Sequence, residues 1–430
     1  MALDLDLIRP QFPALALRHG EGTHADRPRV YLDNPAGTQL PDRVLDAMRT
    51  AMVEFNANMG GNFRTSREST AMVQRAHEAV ADMFHAGSWR EIVFGPNMTT
   101  LTFMMARALA PRFQEGDELI LTHMEHDGNN TTWRTMAEER GMVVKTLPFS
   151  HDTYEFDLDE LAALITPRTR IAAINHASNI LGTINPVREM CALLREHGVL
   201  TYVDSVQYAP HGPIDVQDIG SDFLVASTYK FYGPHQGVLW GRPEHMESLR
   251  SYKLSVVPDV SPNRWETGCQ SHEGQAGVLA AVEYLAWIGD EMGGDFRPSD
   301  ATMNERTRSV HAGLAAMADS EHALSLRLIE GLTAIPGVRV HGITDPAAVA
   351  RRVPTVSFSK DGLDPAEMAR HLDAHGVYVW NGHSYALPVI RHLGLEDKGG
   401  VVRVGPTHYN TLDEVDTAVA LIAGFLGAGA

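Results

Sequence analysis

Short apolar runs alternate with stretches of helical period along the first two thirds of the chain. "EIVFGP" (91–96) has strand length, and "TTLTFMMARALA" after it carries the period of a helix. "DELILT" (117–122), "VVKTLPF" (143–149), "RIAAIN" (170–175), "VLTYVD" (199–204) and the start of "FLVASTYKFYG" (223–233) are further apolar runs of the same length. Within "PVREMCALLREHG", Val187, Met190, Cys191 and Leu194 fall at i, i+3, i+4 and i+7, which predicts one buried helix face with Cys191 in the core. Pro186 and Gly198 punctuate its ends. Strands alternating with helices in this way predict a mainly parallel sheet covered on both faces.

Beyond about Glu283 the rhythm changes. A long polar-helical stretch (304–332) leads to "VRVHG", "TVSFS", a helix at "DPAEMARHLDAHG", then "VYVWNG", "VVRVGP" and a last helix "TLDEVDTAVALIAGFL". This mixture predicts a second, smaller α/β unit. The expected division is an N-terminal segment (1–25) packing on the small domain, a large domain (26–285) and a small C-terminal domain (286–430).

Composition narrows the function classes. A chain of 430 residues exceeds one ordinary core, which agrees with two domains. A hydrophobic fraction of 44% and a charged fraction of 21% are those of a soluble globular protein. The net charge of -18 weighs against a nucleic-acid partner, because phosphate backbones need a basic face. No apolar run has the length of a membrane span, and the N-terminus lacks a basic segment followed by an apolar run. The two cysteines, Cys191 and Cys269, form no disulfide framework, so a reducing cytoplasm is the expected setting. "HMEH" (123–126) matches no metal-binding spacing, and no metal is expected.

In an open parallel sheet, ligands bind outside the carboxyl ends of the strands. Asn97, Met98 and Thr99 follow the first of these strands and open a helix. Glu125, His126 and Asn129 follow the next, and His176, Ser178 and Asn179 follow "RIAAIN". Asp204 and Gln207 close "VLTYVD"; Ser227, Tyr229 and Lys230 follow Phe223–Ala226. Each residue alone fits a cap or a turn, whereas polar groups after five strands point to a ligand. A lysine and an acid at neighbouring strand ends suit pyridoxal 5'-phosphate, which needs an amine for its aldehyde and an acid for its ring nitrogen. A helix N-terminus suits its phosphate. Facing that cation, Asp204 is expected to be held below the usual carboxylate range.

The segment "VDSVQYAPHGPIDVQDIGSDFLVASTYKFYGPHQGVLWG" resembles the cofactor segment of class V aminotransferases, the pyridoxal-phosphate family that includes cysteine desulfurases, selenocysteine lyases and kynureninases. "YLDNPAGTQLP" (31–41), "EHDGNN", "HASNILGTINPV" and "RVGPTHYNT" (403–411) extend the likeness over nearly the whole chain. The resemblance implies the fold-type I architecture, α/β with a mainly parallel seven-stranded sheet in the large domain, and a homodimer with shared active sites. It implies that Lys230 binds the cofactor covalently, that Asp204 pairs with the ring nitrogen, and that Gln207 contacts the ring hydroxyl. By the same resemblance His126 stacks on the ring. Asn97, Met98, Thr99, Ser227 and Tyr229 serve the phosphate, and Arg403 clamps a substrate carboxylate. Asn34, Asn179 and His383 fall near substrate, and Cys269 near the phosphate of the neighbouring subunit.

The chain departs from the desulfurase pattern where that subgroup carries a nucleophilic loop cysteine. "GHSYAL" (382–387) has Tyr385 there. "WETGCQSHEG" puts Cys269 at a threonine position, and "NMGGNFRTS" lacks an arginine near its glycine pair, with Arg64 close by as a replacement. The expectation is a pyridoxal-phosphate lyase that cleaves a carbon–sulfur bond of a cysteine derivative without a persulfide, with Tyr385 in a catalytic role. An aminotransferase, an epimerase, a decarboxylating deaminase and a non-catalytic cofactor-binding protein remain the alternatives.

Overall fold

The computed structural model describes residues 3–19 and 27–428. Residues 1–2 and 20–25 of the expected N-terminal segment therefore lie outside the described residues. The strands are β1 (Val30–Tyr31), β2 (Ile92–Gly95), β3 (Glu118–Thr122), β4 (Val143–Leu147), β5 (Thr169–Asn175), β6 (Leu200–Asp204), β7 (Phe223–Ser227), β8 (Gly237–Gly241), β9 (Val338–His341), β10 (Val356–Lys360), β11 (Val377–Tyr378), β12 (Trp380–Gly382) and β13 (Val401–Val404). A seven-stranded sheet has the order β2-β8-β7-β6-β5-β3-β4. Only β8 runs against its neighbours. The six co-directional strands leave their carboxyl ends on one edge, and the polar residues picked out above follow them.

The strands form where the apolar runs predict. Both sheet faces are covered, so β2, β7 and β8 are buried at every position, as continuous apolar strands must be. The helix Val187–Glu196 buries Val187, Met190, Cys191 and Leu194 together. A second, antiparallel sheet of order β12-β13-β10-β9 forms the core of the smaller unit with the helices Glu305–Thr333, Pro365–Asp373 and Leu412–Ala428. The position expected to divide the domains, 285/286, falls inside the continuous helix His272–Met292.

One expected strand is two. "VYVWNG" splits at Val379: β11 pairs in parallel with β1, and β12 pairs with β13 in the four-stranded sheet. Its unbroken apolar character hid the change of partner. The N-terminal segment is pinned at Arg9, whose guanidinium donates to the Tyr409 carbonyl and pairs with Glu414 at 2.9 Å. Phe12 packs against Tyr409, with ring centroids 4.7 Å apart.

A buried polar network joins the two sheets just beyond Lys230. The Tyr232 hydroxyl lies 2.8 Å from Thr407 Oγ1 and 3.0 Å from His408 Nδ1. His408 Nε2 lies 2.6 Å from the Tyr284 hydroxyl. Glu321 accepts from Thr407 Oγ1 at 2.7 Å and from the His408 N–H at 3.0 Å, and lies 2.8 Å from His211 Nδ1. Most buried polar groups in folded proteins are satisfied in this way.

Candidate active site

A cleft of about 860 Å³ opens at the carboxyl ends of β3, β5, β6 and β7. Its floor carries Lys230, Asp204 and Ser227, and the loop Ser384–Tyr385 stands on the opposite side with Trp380 and Arg403. Of the residues expected at the site, Asn97, Met98, Thr99, His126, Asn179, Asp204, Gln207, Ser227, Tyr229, Lys230, Tyr385 and Arg403 all line this cleft.

Lys230 ends the turn Thr228–Lys230 that follows β7. The chain closes back on that turn through Phe231 N–H and Gly233 N–H, both donating to the Thr228 carbonyl at 3.0 and 2.9 Å. The segment 35–38 clamps it from the other side: Thr38 N–H donates to the Tyr229 carbonyl at 3.0 Å, and Lys230 Nζ donates to the Pro35 carbonyl. Burial lowers the amine to about 7; nearby Arg403 adds to the effect, and Asp33 and Asp204 oppose it. The lysine therefore gives up its proton far more readily than an exposed amine, as a nucleophilic amine requires.

Asp204 departs from expectation in the protein alone. Burial raises its carboxyl to about 6, against the Val206 N–H that donates to it at 2.9 Å and the Lys230 charge. Desolvation outweighs one amine and one amide. A cationic ring nitrogen against this carboxylate is what would reverse the direction.

His126 caps the helix Asp127–Arg140, its Nδ1 accepting from Gly128 N–H at 3.0 Å, so Nε2 carries the proton. Burial, with Lys230 and Arg403, lowers it to about 4, leaving a neutral ring at physiological pH. The helix Met98–Leu109 starts alongside. A Cβ at Gly128 would come within 2.8 Å of Thr99 Oγ1, so glycine there lets two helix starts meet. Asn97 caps the first through Thr100 N–H at 2.8 Å. At the second helix start Asp127 N–H and Gly128 N–H are taken by the Tyr385 carbonyl and His126 Nδ1, so the start of the helix Met98–Leu109 is the one suited to an anion.

The far end is polar and incompletely bonded. Arg403, on β13, pairs with Asp33 at 3.1 Å and donates to the Asn179 carbonyl at 3.3 Å, while its Nε has no partner. Asn179 donates to the Ser384 carbonyl at 2.8 Å and leaves its Oδ1 free; Gln207 leaves its Oε1 free. Unpaired buried polar atoms cost on the order of 1–3 kcal/mol each, and these three converge on one cleft. The Tyr385 carbonyl accepts from Asp127 N–H at 2.6 Å, and the phenol ring lies 5.7 Å from the His126 ring. Ser384 and Tyr385 both sit in the left-handed region, φ 45° and 56°, a strain the two docking bonds offset.

Asn34 and His383 do not line this cleft, and Cys269, expected at the cofactor of a neighbouring subunit, lies outside it as that expectation allows. Asn34 is tied up in structure, donating to the Gly405 carbonyl and accepting from the Tyr409 hydroxyl; its neighbours Pro35 and Ala36 line the cleft instead. His383 is exposed, and its Nδ1 accepts from Tyr385 N–H at 3.0 Å, a bond that shapes the loop. Cys269 lies exposed on a second cleft, with Tyr252, His235 and Trp265. Arg64 also stays outside, paired with Glu68 on the surface. Asp33, Trp380 and Ser384 went unmarked in the sequence. Trp380 is legible only through register, directly opposite Arg403 across β12 and β13.

The sequence profile of the family described as aminotransferase class-V matches residues 30–292 and 302–418. The chain belongs to the class V aminotransferase family. An aminotransferase-like protein of Gibberella zeae is 33% identical to this class V protein over 98% of both chains. A cysteine desulfurase of Pectobacterium atrosepticum is 30% identical, covering 98% of this chain and 97% of its own. Among solved structures, the apo cysteine desulfurase of Thermococcus onnurineus superposes with a TM-score of 0.86 at 27% identity, covering 100% and 99% of the two chains. A cysteine desulfurase of Escherichia coli gives 0.82 at 27% identity over the full length of both. Class V enzymes of this kind depend on pyridoxal phosphate, and the cleft fits it. It offers a buried amine near neutrality, a buried carboxylate, a neutral imidazole, unpaired polar atoms and adjoining helix starts.

Proposed function

We propose that this class V enzyme eliminates the β-substituent of an L-amino acid, cleaving the carbon–sulfur bond of a cysteine derivative without a persulfide. One observation carries the reading: among the described residues, no thiol of the same chain lines the cleft. Cys191 is fully buried in the core, where burial pushes its thiol up to about 12, and Cys269 lies on the second cleft. Tyr385 stands at the mouth in their place.

Bound pyridoxal phosphate supplies an electron sink for the pair left at the substrate α-carbon. Arg403 binds the α-carboxylate, a bidentate task for its fork. Lys230 Nζ accepts the α-proton. Asp204 would hold the proton on the ring nitrogen, and the neutral His126 ring would pack against the cofactor. The carbon–sulfur bond breaks with its electron pair on sulfur, and the Tyr385 hydroxyl donates the proton that makes a free thiol. The released enamine hydrolyses to pyruvate and ammonia.

S-substituted cysteines should therefore yield pyruvate and a thiol in equal amounts, with no thiol-labile sulfur on the protein. A persulfide on Cys269 or Cys191 after turnover, or amino transfer without pyruvate, would overturn the reading. Tyr385→Phe should slow elimination by about 10²–10⁴ if the phenol is the acid. A loss of under threefold would reduce it to a wall of the cleft.

We also propose that the active unit is a homodimer with shared sites. Exposed Tyr252, Leu254, Val256 and Val260, together with Met59 and Phe63, support a covered face near the loop that bears Cys269. Sedimentation should show a dimer; a fully active monomer would reject it.

A further inference from the structure

Gln207, the residue expected against the ring hydroxyl, is gripped from the smaller sheet. Its carboxamide nitrogen lies 3.0 Å from Thr355 Oγ1, both residues are buried, and its Oε1 faces the cleft with no partner. Thr355 sits at the residue before β10 in a strap lashed to the loop that carries Asn179. Arg352 Nη2 donates to the Thr355 carbonyl at 2.6 Å, Val353 N–H donates to the Gly182 carbonyl at 2.9 Å, and Ser357 Oγ donates to the Ile180 carbonyl at 2.7 Å. The hydroxyl is thus held at a fixed place, with Gln207 as its side-chain partner among the described residues.

A carboxamide has a donor end and an acceptor end of nearly the same shape, and a hydroxyl can bond either. With the amide nitrogen on Thr355, the oxygen faces the cleft. With the amide turned over, Thr355 donates to Oε1 across the same distance, and two N–H groups face the cleft. An electron-rich ring oxygen requires the second arrangement. A methyl in place of the hydroxyl would satisfy neither end.

We propose that Thr355 is a positioning residue, which acts through the Gln207 carboxamide to present its N–H groups to the ring oxygen of the cofactor. This goes beyond the elimination reading and does not depend on which substrate bond breaks. It rests on cofactor binding alone. Because Thr355 belongs to the strap of the smaller sheet, it also links the placement of that sheet to the electronic state of the cofactor.

The test is a set of holoenzymes, Thr355→Val, Thr355→Ser, Gln207→Ala and the double variant Thr355→Val/Gln207→Ala. The readouts are the absorption spectrum of bound pyridoxal phosphate across pH and its dissociation constant. Thr355→Val, equal in shape but without the hydroxyl, should shift the pH midpoint of the spectrum by roughly half to one unit and weaken cofactor binding about three- to tenfold. Thr355→Ser should restore both within twofold. Adding Thr355→Val to Gln207→Ala should change little more, because the two act on one contact. Superimposable spectra for wild type and Thr355→Val at every pH would overturn the proposal. So would full additivity of the two substitutions, which would mean that Thr355 only packs the strap.

Discussion

Asp33→Asn isolates the charge that holds Arg403. The two side chains meet at 3.1 Å and both are largely buried, Arg403 at 3% and Asp33 at 12% side-chain exposure. Unit charges about 4 Å apart attract by roughly 4 kcal/mol at an effective dielectric of about 20. Removing one member of a buried pair costs about 3–5 kcal/mol, since the other is left uncompensated. Asparagine keeps an acceptor, so roughly 2–4 kcal/mol is expected. The same substitution frees Arg403 for an external carboxylate. Urea unfolding of wild type and Asp33→Asn, each with and without propionate, reads both effects. The variant should unfold at lower urea, and propionate should bind it at least about tenfold more tightly, about 1.4 kcal/mol, and protect it by more. Asp33 also opposes the depression of the Lys230 amine. Its loss should take that amine further below its present position and speed cofactor capture at pH 6. An unchanged urea midpoint, together with equal protection of both proteins by propionate, would refute the idea that Asp33 is the resting counter-ion of a carboxylate site.

Borohydride reduction of the holoenzyme should fix the pyridoxyl group on Lys230, read by peptide mass analysis, and Lys230→Ala should abolish turnover with the fold intact; label on another lysine would reject the assignment. The cofactor-free protein should lose stability as pH falls from about 6.5 towards 4. Burial holds His341 near 4 and His176 and His408 near 3. The unfolded chain therefore binds more protons than the native one in that window, at up to about 1.4 kcal/mol per pH unit for each histidine. Burial lowers His123 and His126 to about 4 as well. Five large histidine shifts therefore stand against the raised carboxyls of Asp204, Glu125, Asp33 and Glu91 and the raised His77, which act in the opposite sense. A flat urea midpoint over pH 6.5–4.5 would contradict this.

The cofactor floor was legible because it follows from strand ends. Lys230, Asp204 and His126 each sit where an apolar run stops, and a parallel sheet gathers such residues at one edge. That Asn34 and His383 do not line the cleft was illegible for the opposite reason. The Gly405 carbonyl and the Tyr409 hydroxyl that occupy Asn34 are remote in sequence, and no local pattern announces them. Thr355 lay within "TVSFS", where a β-branched residue reads as an ordinary strand former. The direction at Asp204 depended on complete burial, which sequence position does not disclose. Trp380 went unmarked because the break at Val379 re-pairs its strand with β13.

The polar network beyond Lys230 has a mechanical consequence. It ties Tyr232 to Thr407 and His408, so the larger and smaller sheets are fastened close to Lys230. The strap that grips Gln207 and the Arg403 contact to the Asn179 carbonyl fasten the same two sheets again across the cleft. Lys230 therefore sits between ties, and neither sheet can turn against the other without breaking buried hydrogen bonds at each.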